Sequence, residues 1–456
     1  MNAAQLQPNP DPTNAQPQPH PDLVDDEFLR FEDFKHGHSD VLHHRSRGIL
    51  FELEACIREN RWEDIVALCH PMPEKLPDVI DTPFEGTIRS RLAFAFSQLQ
   101  RYDDAIEELN TCIQKDPENF IYHSSLAYTA YNSLYAAKNR EIFLAGPLKA
   151  ERIETAHRHF RKAQLLRPDG ITNFYREGML FKQIEGKSRL ALPLFKTAVS
   201  NWEALDADAQ KERHQERKNY IKALYQLAGA LLDQGDALQS LTVVQKCLRE
   251  DETTNHLSLV FKYFALGKVH FHLRQLSEAR DALMFAANCA NEMAADFIYE
   301  LLARVYLEMD NPTKALEAVE QIPQKLRRPY VRWTEADIYC AMKQFDRARS
   351  ILIHCQERDK RGRHKALIRL VRIEYLHGKY QKAFEYAEKA VKFFEENWGK
   401  PLDDGLFWMA ACQLRMGNVD RARDLARELE RYYARHSKLS KLLRAIEEKP
   451  PADGRT

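Results

Sequence analysis

The sequence predicts an all-α protein built as a solenoid of stacked helical hairpins, and three observations carry that prediction. Ala, Leu, Glu, Lys, Arg and Gln, all good helix formers, dominate every long segment. Only 16 Gly and 20 Pro occur in 456 residues, and many of the prolines fall within the first 23, so the rest of the chain is poor in β-structure punctuation. One phrase also recurs: a polar turn with an aromatic or Gly residue, a charged pair, then a small residue followed by an apolar residue four later. QRYDDAIEEL, RQLSEARDAL, DNPTKALEAV, KQFDRARSIL, GKYQKAFEYA and GNVDRARDLA are copies of it.

Taking the small or aliphatic residue as anchor gives Ile65, Ala105, Ala156, Ala191, Ser240, Ala279, Ala315, Ala348, Ala383 and Ala422. Their spacings are 40, 51, 35, 49, 39, 36, 33, 35 and 39, a period near ~34 residues with two insertions. Two antiparallel helices joined by a short turn explain the phrase. The small residue lets the second helix approach the first closely, and a large residue one turn on (Leu109, Phe160, Phe195, Leu283, Leu352) fills the groove beneath it. About twelve residues before the anchors a second pattern recurs, at Leu92-Ala93, Leu126-Ala127, Gly178, Leu227-Ala228, Leu266-Gly267, Leu302-Ala303 and Ala336. Phe96, Phe181, Tyr306 and Tyr339 follow it at three residues' distance. Pro117 and Pro168 stop second helices, as a proline past a helix C-terminus does.

These residues resemble the tetratricopeptide repeat family. The match is best at 86–119, with Leu92, Ala93, Phe96, Ala105, Leu109, Cys112 and Pro117, and over 120–170, which ends RKAQLLRPDG. About ten such repeats cover residues 46–435, although those after 221 mostly lack the closing proline and Pro71 and Pro73 break the first. The resemblance implies a right-handed α-solenoid that holds a peptide or helix of a partner on its concave surface. It implies a scaffold or adaptor without catalysis.

The remaining segments are read from composition. Residues 1–22 are Pro/Gln/Asn-rich and are expected to be a disordered tail. In 23–45, DLVDDEFLRFEDF sets Leu23, Phe28, Phe31 and Phe34 near helical spacing, as an acidic entry helix that caps the first repeat or lies in the groove. The two long spacings predict lengthened hairpins near 130–155, around a Gly146-Pro147 break, and near 200–225, as two extended helices. A terminal helix and frayed tail are expected over 436–456.

Searches for chemistry return little. The GKS at Gly186 lacks the upstream glycine of a phosphate loop, since Phe181 stands there, and no cofactor is expected. His36, His38, His43 and His44 fall within nine residues, without a Cys or carboxylate at metal-site spacing, and no metal is expected. His157 and His159 are two apart on a helix, so they point to different faces. The eight cysteines include no C-x-x-C and read as reduced core thiols. No apolar run approaches the ~18 residues of a membrane span, and no signal peptide opens the chain, so a cytoplasmic location is the expectation.

Net charge is zero, yet its distribution is uneven. Residues 22–119 hold 22 Asp/Glu against 11 Lys/Arg, while 325–372 hold 14 Lys/Arg against 5 Asp/Glu. The densest basic part places Arg358, Lys360, Arg361, Arg363 and Lys365 around a Gly turn, with Arg369 and Arg372 on the next helix and Arg332 upstream. Lys365 and Arg369, four apart, share a helix face. The seven arginines and lysines Arg332, Arg358, Arg361, Arg363, Lys365, Arg369 and Arg372 are therefore the candidate partner site, suited to an acidic segment or a C-terminal carboxylate. A nucleic-acid backbone read by the 325–372 section is the alternative.

Overall fold

The computed structural model describes residues 40–290 and 295–448, with side chains from Arg45 onward. The expectations for the 1–22 tail, for most of the 23–45 entry segment with His36, His38, His43 and His44, and for the tail after Glu448 lie outside the described residues. The chain divides into two compact units, Met1–Ser258 and Leu259–Thr456. Every regular element among the described residues is helical, and the fold is an all-α solenoid of hairpins.

The first unit pairs α1 (Asp40–Arg58) with α2 (Trp62–Cys69), followed by the short α3 (Met72–Lys75), then α4 (Glu85–Gln98) with α5 (Tyr102–Lys115) and α6 (Phe120–Lys138) with α7 (Gly146–Leu166). Next come α8 (Thr172–Met179), continued by a π-turn at Leu180–Ile184, with α9 (Ser188–Glu203), the short α10 (Ala207–Glu212), and α11 (Arg217–Asp233) with α12 (Ala237–Glu250). The second unit pairs α13 (Leu259–His272) with α14 (Leu276–Cys289), α15 (Asp296–Glu308) with α16 (Pro312–Glu320), and α17 (Pro329–Ala341) with α18 (Phe345–Arg358). It ends with α19 (Arg363–Leu376) and α20 (Tyr380–Trp398), α21 (Asp403–Arg415) and α22 (Val419–Tyr433), and a closing α23 (Leu439–Glu447).

All the hairpin turns are built alike. Each carries one residue of positive φ: Asn60, Gln100, Arg140, Gly186, Gly235, Arg274, Asp310, Lys343, Gly378 or Gly417. The next N–H reaches back to a carbonyl in the last turn of the first helix, as Arg101 to Phe96 (2.8 Å), Asn311 to Tyr306 (2.8 Å) and Gln344 to Tyr339 (2.8 Å). This is the left-handed closure that satisfies the orphan carbonyls of a helix end. Six of these positions are not glycine and bear the steric cost of a Cβ there. Lys343→Gly is accordingly expected to stabilise the protein by about 0.5–1 kcal/mol, read as a raised urea midpoint at unchanged slope. An unchanged midpoint would show that the turn carries no such strain.

The ten anchors are all fully buried. Where a serine replaces alanine, at Ser240, its hydroxyl donates to the Ala228 carbonyl (2.8 Å) of the opposing helix, so the polar atom is satisfied. The facing small residues are equally tight. A Cβ on Gly178 would lie 2.5 Å from the Phe195 ring, and one on Gly267 would lie 2.6 Å from Leu283 Cγ.

The two insertions differ. In α6 and α7, 19 and 21 residues long, the hairpin is drawn out, and Pro147 stands in the first turn of α7 where its missing N–H costs nothing. The 200–225 stretch is not two extended helices, contrary to the sequence expectation. Helix α9 stops at Glu203, and Asp206 restarts the chain by accepting the Ala209 N–H (2.8 Å). Buried Glu216 then fixes the following turn, accepting from Arg213 Nε (2.8 Å) and from the Ile171 N–H (3.3 Å). A cap and a buried carboxylate interrupt what composition alone reads as two extended helices.

Candidate interaction surface

In the second unit the first helices of successive hairpins touch through a continuous series of side chains. Phe297 on α15 stacks on Phe261 (6.1 Å) and meets Phe264 edge-on (4.7 Å), both on α13. Asp296 at the start of α15 takes two hydrogen bonds from Arg328 (2.6 Å each) and one from the Tyr330 hydroxyl (2.7 Å) on α17. Glu300 accepts from Thr334 Oγ1 (2.6 Å), and the two carboxylate oxygens of Asp337 share the Nε–H of Arg369 on α19 (3.0 and 2.9 Å). Lys365 Nζ and the Arg369 guanidinium lie 5.2 and 5.7 Å from the Trp333 ring centroid, and Tyr375 packs on Trp408 of α21 (5.1 Å).

The electrostatics of this face are mixed. Burial pushes the Glu300 carboxyl above its ordinary value, with Arg304 and the Thr334 hydroxyl opposing. Asp337 is raised in the same way, against the pull of Arg369 and Arg372. Three cations remain in surplus: Arg304, Lys365 and Arg372 are exposed, and none has a salt-bridge partner among the described residues. Arg304 instead lies 5.0 Å over the Phe271 ring.

The seven sequence-predicted basic residues do not form one site. Lys365, Arg369 and Arg372 share the first-helix face of α19. Arg363 sits about 200° round the same helix from Lys365, where its Nε donates to the Gln356 carbonyl (2.8 Å) and its guanidinium lies over Phe393 (5.5 Å). Arg358 and Arg361 are exposed around the preceding turn, and Asp359 holds that turn by accepting the Arg361 and Gly362 N–H groups (3.0 and 2.8 Å). Arg332 is tied through Nη2 to the Gln324 carbonyl (3.0 Å). Of the basic section, Arg327, Arg328, Arg349 and Arg369 are held in ion pairs with Glu335, Asp296, Glu374 and Asp337. The acidic half of this face was missed in the sequence. Its signal was there, since Asp337 and Arg369 lie 32 residues apart, within a helical turn of one repeat period, on adjacent first helices.

A second set missed in the sequence lies in the first unit. Tyr128, Tyr131 and Tyr135 stack along α6 at 6.2 Å intervals, with Arg176 3.7 Å over the Tyr128 ring. The π-turn after α8 aims Gln183 at the Tyr131 hydroxyl (2.9 Å) and Lys182 at Gln226 (2.8 Å), so one irregular turn bridges both neighbouring hairpins.

His157 and His159 do face different ways. His157 is clamped between Glu177 and Glu185 (2.8 Å each); burial pulls its pKa down, but the two carboxylates outweigh this and the net shift is upward. His123 Nε2 donates to the Pro117 carbonyl (2.9 Å), which leaves its Nδ1 to accept from His159 Nδ1 (2.7 Å). Burial, then His123 and Arg158, lower the His159 pKa to about 4. Stability from His157 is therefore present below pH ~6.5 and lost as pH rises through its raised value, whereas that from neutral His159 is lost as pH falls from ~6.5 toward 4. Solvent still reaches the ring and screens the effect, so the stability gap between wild type and His159→Ala should narrow by about 1 kcal/mol from pH 7 to pH 4.5. The gap to His157→Ala should instead narrow above pH 7. Parallel stability–pH curves for both variants would contradict this placement of charge.

Among the thiols, burial pushes Cys69, Cys112 and Cys412 up to about 12 and Cys340 to about 11, which leaves them protonated near neutral pH. No helix among the described residues is long and apolar enough to cross a membrane.

Comparison with known proteins places the repeats. The tetratricopeptide repeat family model matches residues 90–119 and 404–436. No curated protein sequence matches the chain. Among solved structures the chain is similar to yeast Tom70, at 13% identity over 89% of this chain and 95% of that one, with a TM-score of 0.41. It is similar to Naa15/Naa10 bound to HypK-THB, at 14% identity over 94% and 73% of the two chains (TM-score 0.43). The type IV pilus biogenesis factor PilW is similar at 15% identity over 52% and 91% (TM-score 0.38). The two segments that match the family model, one in each unit, are tetratricopeptide repeats, and the same hairpin, turn and anchor recur between them.

Proposed function

We propose that the chain is a non-catalytic protein-interaction scaffold whose late repeats hold an acidic peptide or helix of a partner in the groove lined by α15, α17 and α19. The observation that carries this reading is the first-helix face of the second unit. There Asp337 is taken up by Arg369, and Lys365 over the Trp333 ring, Arg304 over the Phe271 ring and Arg372 stay exposed without a salt-bridge partner among the described residues. Repeat arrays present extended surfaces of this kind to peptides and helices rather than to small substrates. Four cations of the basic section are already neutralised inside the protein, which favours a partner with spaced carboxylates over a continuous phosphate backbone.

Site-specific photocrosslinking tests the proposal. A photoreactive residue in place of Arg304 should crosslink a partner protein in extracts of the native host, and one in place of exposed Glu385 on α20 should not. Equal labelling from both positions, or crosslinks to nucleic acid from Arg304, would overturn the reading.

A further inference from the structure

Arg363, turned away from the first-helix face, belongs to a second arrangement. A cleft of about 510 Å³ lies between the end of α18, the start of α19 and the late turns of α20. Helix α20 is 19 residues long against 14 for α18 and α19, and its late turns carry Lys389, Lys392, Phe393 and Glu396. These recur at i, i+3, i+4 and i+7, so they share one face, which lines the cleft opposite Arg363 and Glu357. The guanidinium of Arg363 is preset: Nε is held by the Gln356 carbonyl and its plane lies 5.5 Å from the Phe393 centroid. Behind Phe393, the ring of Trp398 stacks on Phe394 (4.5 Å), His364 abuts both (5.4 and 5.1 Å), and Trp398 stays 47% exposed.

Charge defines the occupant. Lys389 and Lys392 are exposed and have no salt-bridge partner among the described residues. Arg358, at the end of α18, and Lys360 and Arg361, in the turn after it, are exposed in the same condition, because the one carboxylate of that turn, Asp359, is spent on backbone N–H groups. Three cations, Arg363, Lys389 and Lys392, line the cleft against two carboxylates, Glu357 and Glu396. The volume lies in the ~300–1,000 Å³ range of ligand pockets, room for a few side chains rather than a running strand. Glu357 and Glu396 also interrupt the positive lining, so it offers no continuous track for a phosphate backbone and suits a few spaced carboxylates instead.

We propose that this cleft is a second docking site, distinct from the first-helix groove, for a short acidic peptide segment with an aromatic side chain at its centre, the ring set against Phe393 and the carboxylates on Arg363, Lys389 and Lys392. An aromatic anchor ringed by charge-assisted contacts is the arrangement by which small interfaces gain affinity.

The test is fluorescence anisotropy of the full chain with the labelled peptide EDDFEDE, with EDDAEDE, and with single-stranded poly(U). The expected result is saturable binding of EDDFEDE, weakened at least tenfold by Lys389→Glu/Lys392→Glu and several-fold by Phe393→Ala or by the alanine peptide. Lys365→Glu/Arg372→Glu, on the first-helix face, should lower it less than Lys389→Glu/Lys392→Glu does. Circular dichroism of each variant checks that helicity is retained, and Lys389→Gln/Lys392→Gln, expected to give a smaller loss, serves where charge reversal lowers it. Absence of saturable peptide binding, indifference to the cleft variants, an equal loss in the first-helix variant, or tighter binding of poly(U) than of EDDFEDE would each overturn the proposal.

Discussion

Replacing Lys365 and Arg372 together by glutamate is expected to weaken partner capture by roughly 100-fold while leaving the melting curve unchanged. Both side chains are exposed on α19, and neither has a salt-bridge partner among the described residues, so their reversal removes attraction and adds repulsion without orphaning an internal group. Arg369, which shares their face, is expected to behave differently. Its ion pair with Asp337 joins α19 to α17, and Arg369→Glu sets a carboxylate against a carboxylate. The two side chains keep 26% and 37% of their surface, so solvent screens the pair, and a loss of about 1–2 kcal/mol of stability is expected rather than the larger cost of a dry pair. Asp337→Arg/Arg369→Asp should recover most of it. The measurement is a binding isotherm with the crosslinked partner beside a urea titration of each variant. If the exposed pair unfolds the protein, or Arg369→Glu loses binding with no loss of stability, the division of roles is wrong.

Gly267→Val is expected to be the most damaging single change outside the binding surfaces. A Cβ there would stand 2.6 Å from Leu283 Cγ and 3.2 Å from the Ala279 carbonyl oxygen, and the latter is backbone that has no rotamer to escape into. Forcing α13 and α14 apart should cost about 3 kcal/mol or more, at the upper end of overpacking penalties. Ala279→Leu and Ala105→Leu act on the same contact from the second helix and should cost about 1–3 kcal/mol each. Because Gly267 and Leu283 share one cavity, trimming Leu283 to Ala in the Gly267→Val background should cost less than it does in wild type, a coupling of about 1–2 kcal/mol. Urea unfolding of the four proteins measures it, and strict additivity would show that the two helices are not in the close contact described.

The repeat was legible because its determinants are local. Ala105, Ala279 and Ala348 lie about twelve residues from the small residues they face, with only a turn between them, so periodicity in the sequence is periodicity in packing. The turns were legible in position but less so in conformation. Only Gly186, Gly235, Gly378 and Gly417 announce a left-handed residue; at Gln100, Arg274 or Lys343 the hairpin imposes the same geometry on a side chain that does not favour it.

Composition and spacing thus settled the helical hairpin, its number of copies and the register of its buried face, since each depends on apolar area and small side chains within one repeat. Which charges are free was decided only in three dimensions. Arg363 and Lys365 are two residues apart yet serve different faces, and Arg369 is engaged by an aspartate 32 residues away. Long charged side chains choose partners on neighbouring hairpins according to helix rotation and rotamer. The seven basic residues that the sequence groups therefore part company: Lys365, Arg369 and Arg372 share one face of α19, Arg363 lines the cleft beside Phe393, and Arg332 is tied to the Gln324 carbonyl.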